Sequence, residues 1–317
     1  MTSTARSQEL DYLKGVLILL MIAFHLVYFE HLYPYAKQVV YTFHMPAFLL
    51  VSGYLVNVAK TWRQFLITMM WIAVPYAIME SAYVVAASLL PVSDHVDNLT
   101  PALFLDKLLL NPLGPYWYLH TMIVCGLITK AAQSLPAGKL TRLLVMAVVM
   151  AVVSLSPLTL SLPCAMYYLA GHALRTSGQP FTLFFPSTLL AVLPFAALAC
   201  FPSCLSKATP GGAVMVYLSV CSLLAVYRQS GIRLRQVLSF LGRRSLLLYV
   251  FSPVFTLSAK ALVPFLSFDP TGLLFLVLSL LLAVCGSLAI GYVLDRLHIS
   301  PWIFGKNTMR SVFCSTI

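Results

Sequence analysis

Charge is what this sequence has least of. Only 9% of its 317 residues are Asp, Glu, Lys or Arg, against about 25% in soluble domains. A chain so poor in charge cannot cover an ordinary water-facing surface, which excludes a conventional soluble globule. Acids are the scarcer sign, 9 against 20 Lys and Arg. The 7 cysteines (Cys125, Cys164, Cys200, Cys204, Cys221, Cys285 and Cys314) include no CxxC pair. That removes the usual sequence grounds for a metal site or a disulfide framework. Most lie inside apolar runs and read as small buried side chains. There is no internal repeat and no low-complexity tail. No small-residue cleavage site follows the first apolar run, so no cleavable signal peptide is expected.

What is present is apolar length: 60% of the residues are hydrophobic. The pattern predicts an all-α, polytopic membrane helix bundle of about ten segments, each near the ~20 residues that cross the hydrocarbon core. They lie near 12–32, 39–59, 65–90, 115–134, 142–161, 163–176, 181–202, 212–228, 244–266 and 272–295. Apolar runs recur from end to end, so residues 1–317 read as a single membrane domain. The longest polar loop, 91–114, carries Asp94, Asp97 and Asp106 against Lys107.

The net charge of +11 sits in short loops between these runs. It reads as topogenic charge, and no nucleic-acid partner is expected. With the N-terminus in the cytoplasm, only Lys37, Lys107 and Lys207 fall in outer loops, and Lys260 falls inside the ninth segment. The other sixteen of the 20 Lys and Arg residues, Arg6 and Arg310 among them, are then cytoplasmic. This bias predicts both termini inside.

The stretch ELDYLKGVLILLMIAFHL, Glu9 to Leu26, sets a histidine at the far end of an apolar run. On one continuous helix Asp11, Lys14, Ile18, Ile22 and His25 share a face. His25 then lies roughly 16 Å beyond Lys14 at 1.5 Å per residue. His44, near the outer end of the second segment, and Glu80, in the third, are placed at a similar depth. Ionisable groups there are costly and mark a polar site or a structural pairing. A carboxylate orienting His25 would hold the tautomer that accepts a proton. Pairing of Glu80 with Lys260, or a histidine bonded between helices, is the structural alternative.

Six stretches stand out in order along the chain. The first are Asp11-Tyr12-Leu13-Lys14-Gly15 with His25 eleven residues beyond the base, FHMPAFLLVSGYL (Phe43–Leu55) and VPYAIMES. Further along come GPYWYLHTMIV, YYLAGHALR around Gly171, and FLGRRSLLLYVFSP through Gly242, Ser245, Leu246 and Tyr249. Together they resemble the membrane acyltransferase-3 family. Lys at position 14, where many members carry Arg, resembles the fucose-acetylase-like branch. The resemblance implies a multi-pass protein of the cytoplasmic (inner) membrane. It implies transfer of an acyl group, acetyl first among them, from cytosolic acyl-CoA to a hydroxyl of a glycan or lipid-linked sugar. The donor is a substrate, and no bound cofactor and no metal is expected.

His25 takes the family's catalytic position in that resemblance, with His44 and Glu80 as further catalytic candidates. Asp11, Lys14, Arg63, Tyr76, Trp117, Tyr118, Arg243 and Arg244 are the candidates for substrate contact. Cations at the cytoplasmic mouth suit the anionic end of CoA. Trp117, with Tyr116 and Tyr118, forms either a sugar-stacking surface or an interfacial aromatic belt. Two departures stand out. The stretch ITMMWIAVPY lacks the arginine pair the family often has before its third-helix Pro-Tyr. Ser252-Pro253 also replaces the frequent His-Pro. A transporter or flippase of a polar lipid is the rival reading, although such folds often show repeats. A non-catalytic glycan-carrier binder is the third.

Overall fold

The computed structural model describes residues 7–89, 95–156 and 160–309. Arg6, Asp94, Arg310 and Cys314 lie outside the described residues. All regular structure among the described residues is helical. The first helices are α1 (Gln8–Ala23), α2 (Val27–Leu32), α3 (Pro34–Leu55), α4 (Trp62–Leu89) and α5 (Pro101–Leu109). Then come α6 (Trp117–Gln133), α7 (Lys139–Ser154), α8 (Leu162–Thr176), α9 (Phe181–Phe184) and α10 (Val192–Ala199). The last are α11 (Pro210–Gln229), α12 (Ile232–Arg243), α13 (Ser245–Ser258), α14 (Val263–Leu266), α15 (Leu273–Arg296) and α16 (Ser300–Phe304).

Local chemistry accounts for several boundaries. Ser7 caps α1 by accepting from the Leu10 N–H, and Glu9 and Asp11 lie in its first turn, where the helix dipole favours acids. Thr100 and Thr209 cap α5 and α11, each followed by a proline whose missing N–H is needed by no helical bond. Prolines inside α3, α4 and α13 (Pro46, Pro75 and Pro253) each remove one backbone hydrogen bond without ending the helix.

Among the described residues, four helical stretches are long and apolar enough to cross a membrane: Trp62–Leu89, Pro210–Gln229, Ser245–Leu266 and Leu273–Arg296. The helices α1, α6, α7 and α8, of 15 to 17 residues, fall short of the ~20 that span the hydrocarbon core unaided. Sequence expectations change at several places, among them the loop 91–114, which contains α5. Residues 181–202 do not form one helix. Phe185, preceding Pro186, is extended (φ −117°, ψ 82°), because the proline ring disfavours helical backbone before it. The piece that resumes, Leu189–Ala199, is short and apolar. Residues 229–243, expected as a loop, contain the twelve-residue α12.

The chain separates into two compact units. The first takes Met1–Phe48, Pro180–Arg296 and Thr308–Ile317, and the second Leu49–Gln179 and Leu297–Asn307. In the first, α1 is the innermost element. Leu13, Leu17, Ile18 and Ile22 are fully buried, with α11, α12, α13 and α15 around them. The second is built on α4 and α6, which pack on each other, with α7 and α8 against α6 and α16 against α4.

Candidate functional site

His25 does not continue the α1 helix. That helix ends at Ala23, and His25 sits in the turn before α2. The stripe of Asp11, Lys14, Ile18 and Ile22 therefore stops one turn short of the imidazole. A helix leaves its last four carbonyls without helical partners. Here the Phe24, His25 and Leu26 N–H groups donate to Leu20, Ile22 and Ala23 respectively. The remaining carbonyl, of Met21, accepts from His25 Nδ1 at 2.7 Å. A carbonyl can only accept, so Nδ1 carries the proton and Nε2 carries the lone pair. The tautomer suited to a general base is thus set by the end of α1, not by a carboxylate.

His44 repeats the arrangement. Its Nδ1 donates to the Val40 carbonyl at 2.7 Å, and its buried Nε2 has no hydrogen-bond partner. Tyr41 stands between the two rings, with centroids 5.9 Å from His25 and 5.2 Å from His44. Its hydroxyl donates to the Phe24 carbonyl at 2.9 Å, inside the turn that holds His25. Lys37 lies over the Tyr41 ring at 5.3 Å and pairs with Glu30 at 2.9 Å. Tyr41 was not singled out from sequence, although it precedes His44 by three residues and so shares its helix face.

The charged end of the first unit is organised by two glycines. A Cβ on Gly15 would lie 2.0 Å from the Leu238 carbonyl oxygen, and one on Gly242 would lie 1.6 Å from that of Asp11. The backbones of α1 and α12 therefore touch where they cross. This contact brings together four substrate-binding candidates. Lys14 pairs with the buried Asp11 at 2.8 Å. Arg243 ends α12, and its buried Nε has no hydrogen-bond partner. The buried Arg244 stacks on the Phe240 ring at 3.7 Å and donates to the Met309 carbonyl at 3.2 Å. Arg244 thus ties Met309 to α12.

The second unit holds the remaining candidates. Glu80 is fully buried; Oε1 accepts from the Leu113 N–H at 2.6 Å, while Oε2 has no hydrogen-bond partner. Tyr76, one turn earlier, donates to the Leu108 carbonyl at 2.7 Å. His120 donates from Nε2 to the Leu109 carbonyl at 3.0 Å. Three side chains thus fasten the segment that leads into the Gly-Pro-Tyr-Trp turn. Tyr118 is buried and shares a hydrogen bond with Ser52 at 2.8 Å. Tyr116 is buried too, and of the three aromatics only Trp117 keeps partly open surface. Arg63 is exposed in the first turn of α4.

His120 and His172 were quoted within motifs but given no role. Gln133 accepts from Arg142 through Oε1, so its amide donates to His172 Nε2 at 3.0 Å. A second glycine crossing lies in this unit: a Cβ on Gly53 would meet the Tyr168 carbonyl oxygen at 1.9 Å, and one on Gly171 that of Leu50 at 1.9 Å.

Residues 7–292 match the family described as an acyltransferase domain. The chain belongs to the acyltransferase-3 family. No curated protein and no solved structure gives a match. The family supports acyltransferase activity, and with the apolar helices it makes the protein a membrane acyltransferase. In this acyltransferase-3 chain, motifs distant in sequence meet in space. The opening Lys-Gly and the late Leu-Gly form one crossing. The Ser-Gly-Tyr of the second segment meets the mid-chain aromatic-Gly element, and its Ser52 meets the Tyr118 of the Trp-aromatic-Leu element.

Proposed function

We propose that the protein moves an acyl group, acetyl first among the candidates, from cytosolic acyl-CoA to a hydroxyl of a cell-surface or lipid-linked glycan. The observation that carries this reading is the His25 imidazole. Its Nδ1 proton is held by the Met21 carbonyl, so Nε2 is left as a base in a chain of acyltransferase family. His25 Nε2 takes the proton of the acceptor hydroxyl as that oxygen attacks the thioester carbonyl carbon. The carbon–sulfur bond breaks, and the proton passes from the imidazolium to the departing thiolate. Transfer of labelled acetyl from acetyl-CoA into glycan, in membranes with and without the protein, tests the reading. Binding of a glycan carrier without any acyl transfer would favour the non-catalytic binder, and movement of that carrier across the membrane would favour the flippase.

The same reading places the protein in the cytoplasmic membrane with about ten crossings and both termini inside, from the Lys and Arg bias. Asp97→Cys, in a background whose native cysteines are serine, is then expected to react with an impermeant thiol reagent from outside. Labelling from the cytoplasmic side alone would overturn the map.

Donor phosphates are held, in this proposal, by cytoplasmic cations tested one at a time. Arg63→Ala and Arg243→Ala are each expected to weaken CoA binding to the purified protein about ten- to hundredfold, for contacts of about 1.5–3 kcal/mol. Arg243 has the stronger case, because its Nε is buried without a partner. Lys14→Ala is expected to cost stability as well, since it removes the Lys14 ammonium 2.8 Å from the buried Asp11 carboxylate. Unchanged affinity in all three variants would make these charges purely topogenic.

A further inference from the structure

Apart from Arg243 at its end, helix α12 has no role in the chemistry above, yet its place is narrowly defined. It starts three residues after Pro210–Gln229 ends, and Arg244 alone separates it from Ser245–Leu266. Both neighbours are long and apolar enough to cross the membrane. A twelve-residue helix joined so tightly to two crossings must lie at one membrane face. Leu238, Ser239, Leu241 and Gly242 make its buried side. Arg233, Gln236 and Val237 lie on the opposite side, where Val237 is 55% exposed, and Ile232 at the first turn is 63% exposed. Exposed aliphatic side chains beside arginines are the make-up of a helix seated in the headgroup layer.

The charge around it is of one sign. Arg228, Arg233 and Arg235 fall within eight residues, and no acid occurs from Pro210 to Phe268. Arg228 and Arg233 are exposed. Arg235 stacks on Tyr227 at 4.9 Å and donates to the Arg228 carbonyl, while its buried Nε has no hydrogen-bond partner. We propose that α12 and the preceding turn are a docking surface for anionic phospholipid headgroups. Arg228, Arg233 and Arg235 engage the lipid phosphates while Ile232 and Val237 rest in the acyl boundary. The crossing of α12 on α1 passes the seating of this surface to the helix that ends at His25. The lipid preference itself does not depend on the proposed transfer reaction.

The test uses the full-length protein in vesicles of phosphatidylcholine containing spin-labelled phosphatidylglycerol or spin-labelled phosphatidylcholine at equal mole fraction. The motionally restricted fraction of each label is measured. A selectivity for phosphatidylglycerol is expected that weakens with salt. It should fall about fivefold for each arginine removed. Arg233→Gln is the primary variant, because the side chain is exposed and the fold does not lean on it. The Arg228→Gln, Arg233→Gln, Arg235→Gln triple variant is the second. Equal restriction of the two labels, or selectivity unchanged in both variants, would overturn the proposal. So would loss of the selectivity on adding millimolar CoA, which would assign the arginines to the donor.

Discussion

His25→Ala is expected to abolish most acyl transfer, a loss of about 10²–10⁴-fold for removal of a general base. The alanine variant alone is ambiguous, because it also frees the Met21 carbonyl at the end of α1. An unmatched buried carbonyl costs about 1–3 kcal/mol, so some loss of stability accompanies the loss of rate. His25→Asn separates the two effects. The asparagine amide reaches the position of Nδ1 and keeps a donor for Met21, but it has nothing in place of Nε2. The expected outcome is wild-type thermal stability in detergent with transfer as low as in the alanine variant. In the wild type, kcat/KM should fall as pH drops through the imidazole pKa, since the base must be neutral. That limb should vanish in both variants. Measured with labelled acetyl-CoA at matched expression, near-native transfer by His25→Asn would reduce His25 to a helix-end hydrogen bond.

Neighbouring polar groups should behave differently. His44→Ala removes the donor to Val40 as well as a buried ring that packs beside Tyr41, so stability and transfer should fall together. Glu80→Gln keeps an oxygen for the Leu113 N–H and removes only the charge. Folding should therefore survive, and any change in transfer reports the carboxylate itself.

The all-helical architecture was legible because apolar length is a strong signal, and the family was legible because six short motifs recur in order. The break at His25 was not. Phe24-His25-Leu26 contains no proline or glycine, so the run reads as one helix, and only the hydrogen bonds around Met21 show where it ends. Helix α12 was missed for the opposite reason. With three arginines in twelve residues it falls below any membrane-span threshold, and its apolar face is filled by α1, which is remote in sequence. The split of residues 181–202 was readable in principle from Pro186. Tyr118 shows a further limit: an aromatic in a motif suggests a sugar platform, but helix phase turned it inward to Ser52.

The crossing of α1 and α12 should be the least forgiving place in the first unit. At Gly242 an added Cβ would sit 1.6 Å from the Asp11 carbonyl oxygen, and at Gly15 2.0 Å from that of Leu238. The obstructing atoms are backbone, which cannot rotate aside as a flexible side chain does. The helices must part, and close-packed interiors yield little. Gly242→Ala and Gly15→Ala are therefore expected at the upper end of the roughly 1–3 kcal/mol typical of overpacking, and Gly242→Val beyond it. Gly231→Ala is the control. It is the N-cap residue of α12, with nothing within 4 Å of its added Cβ, and should cost no more than the roughly 1 kcal/mol by which glycine outranks alanine at a helix N-cap. Thermal unfolding of the detergent-solubilised variants decides the matter. Lys14 and Arg243 flank this contact, so loss of CoA binding should accompany loss of stability in the crossing variants, while the control loses less stability and keeps CoA binding. Equal melting of Gly242→Ala and Gly231→Ala would mean that the helices do not meet at these glycines. The Lys-Gly and Leu-Gly motifs would then need a reading other than close backbone contact.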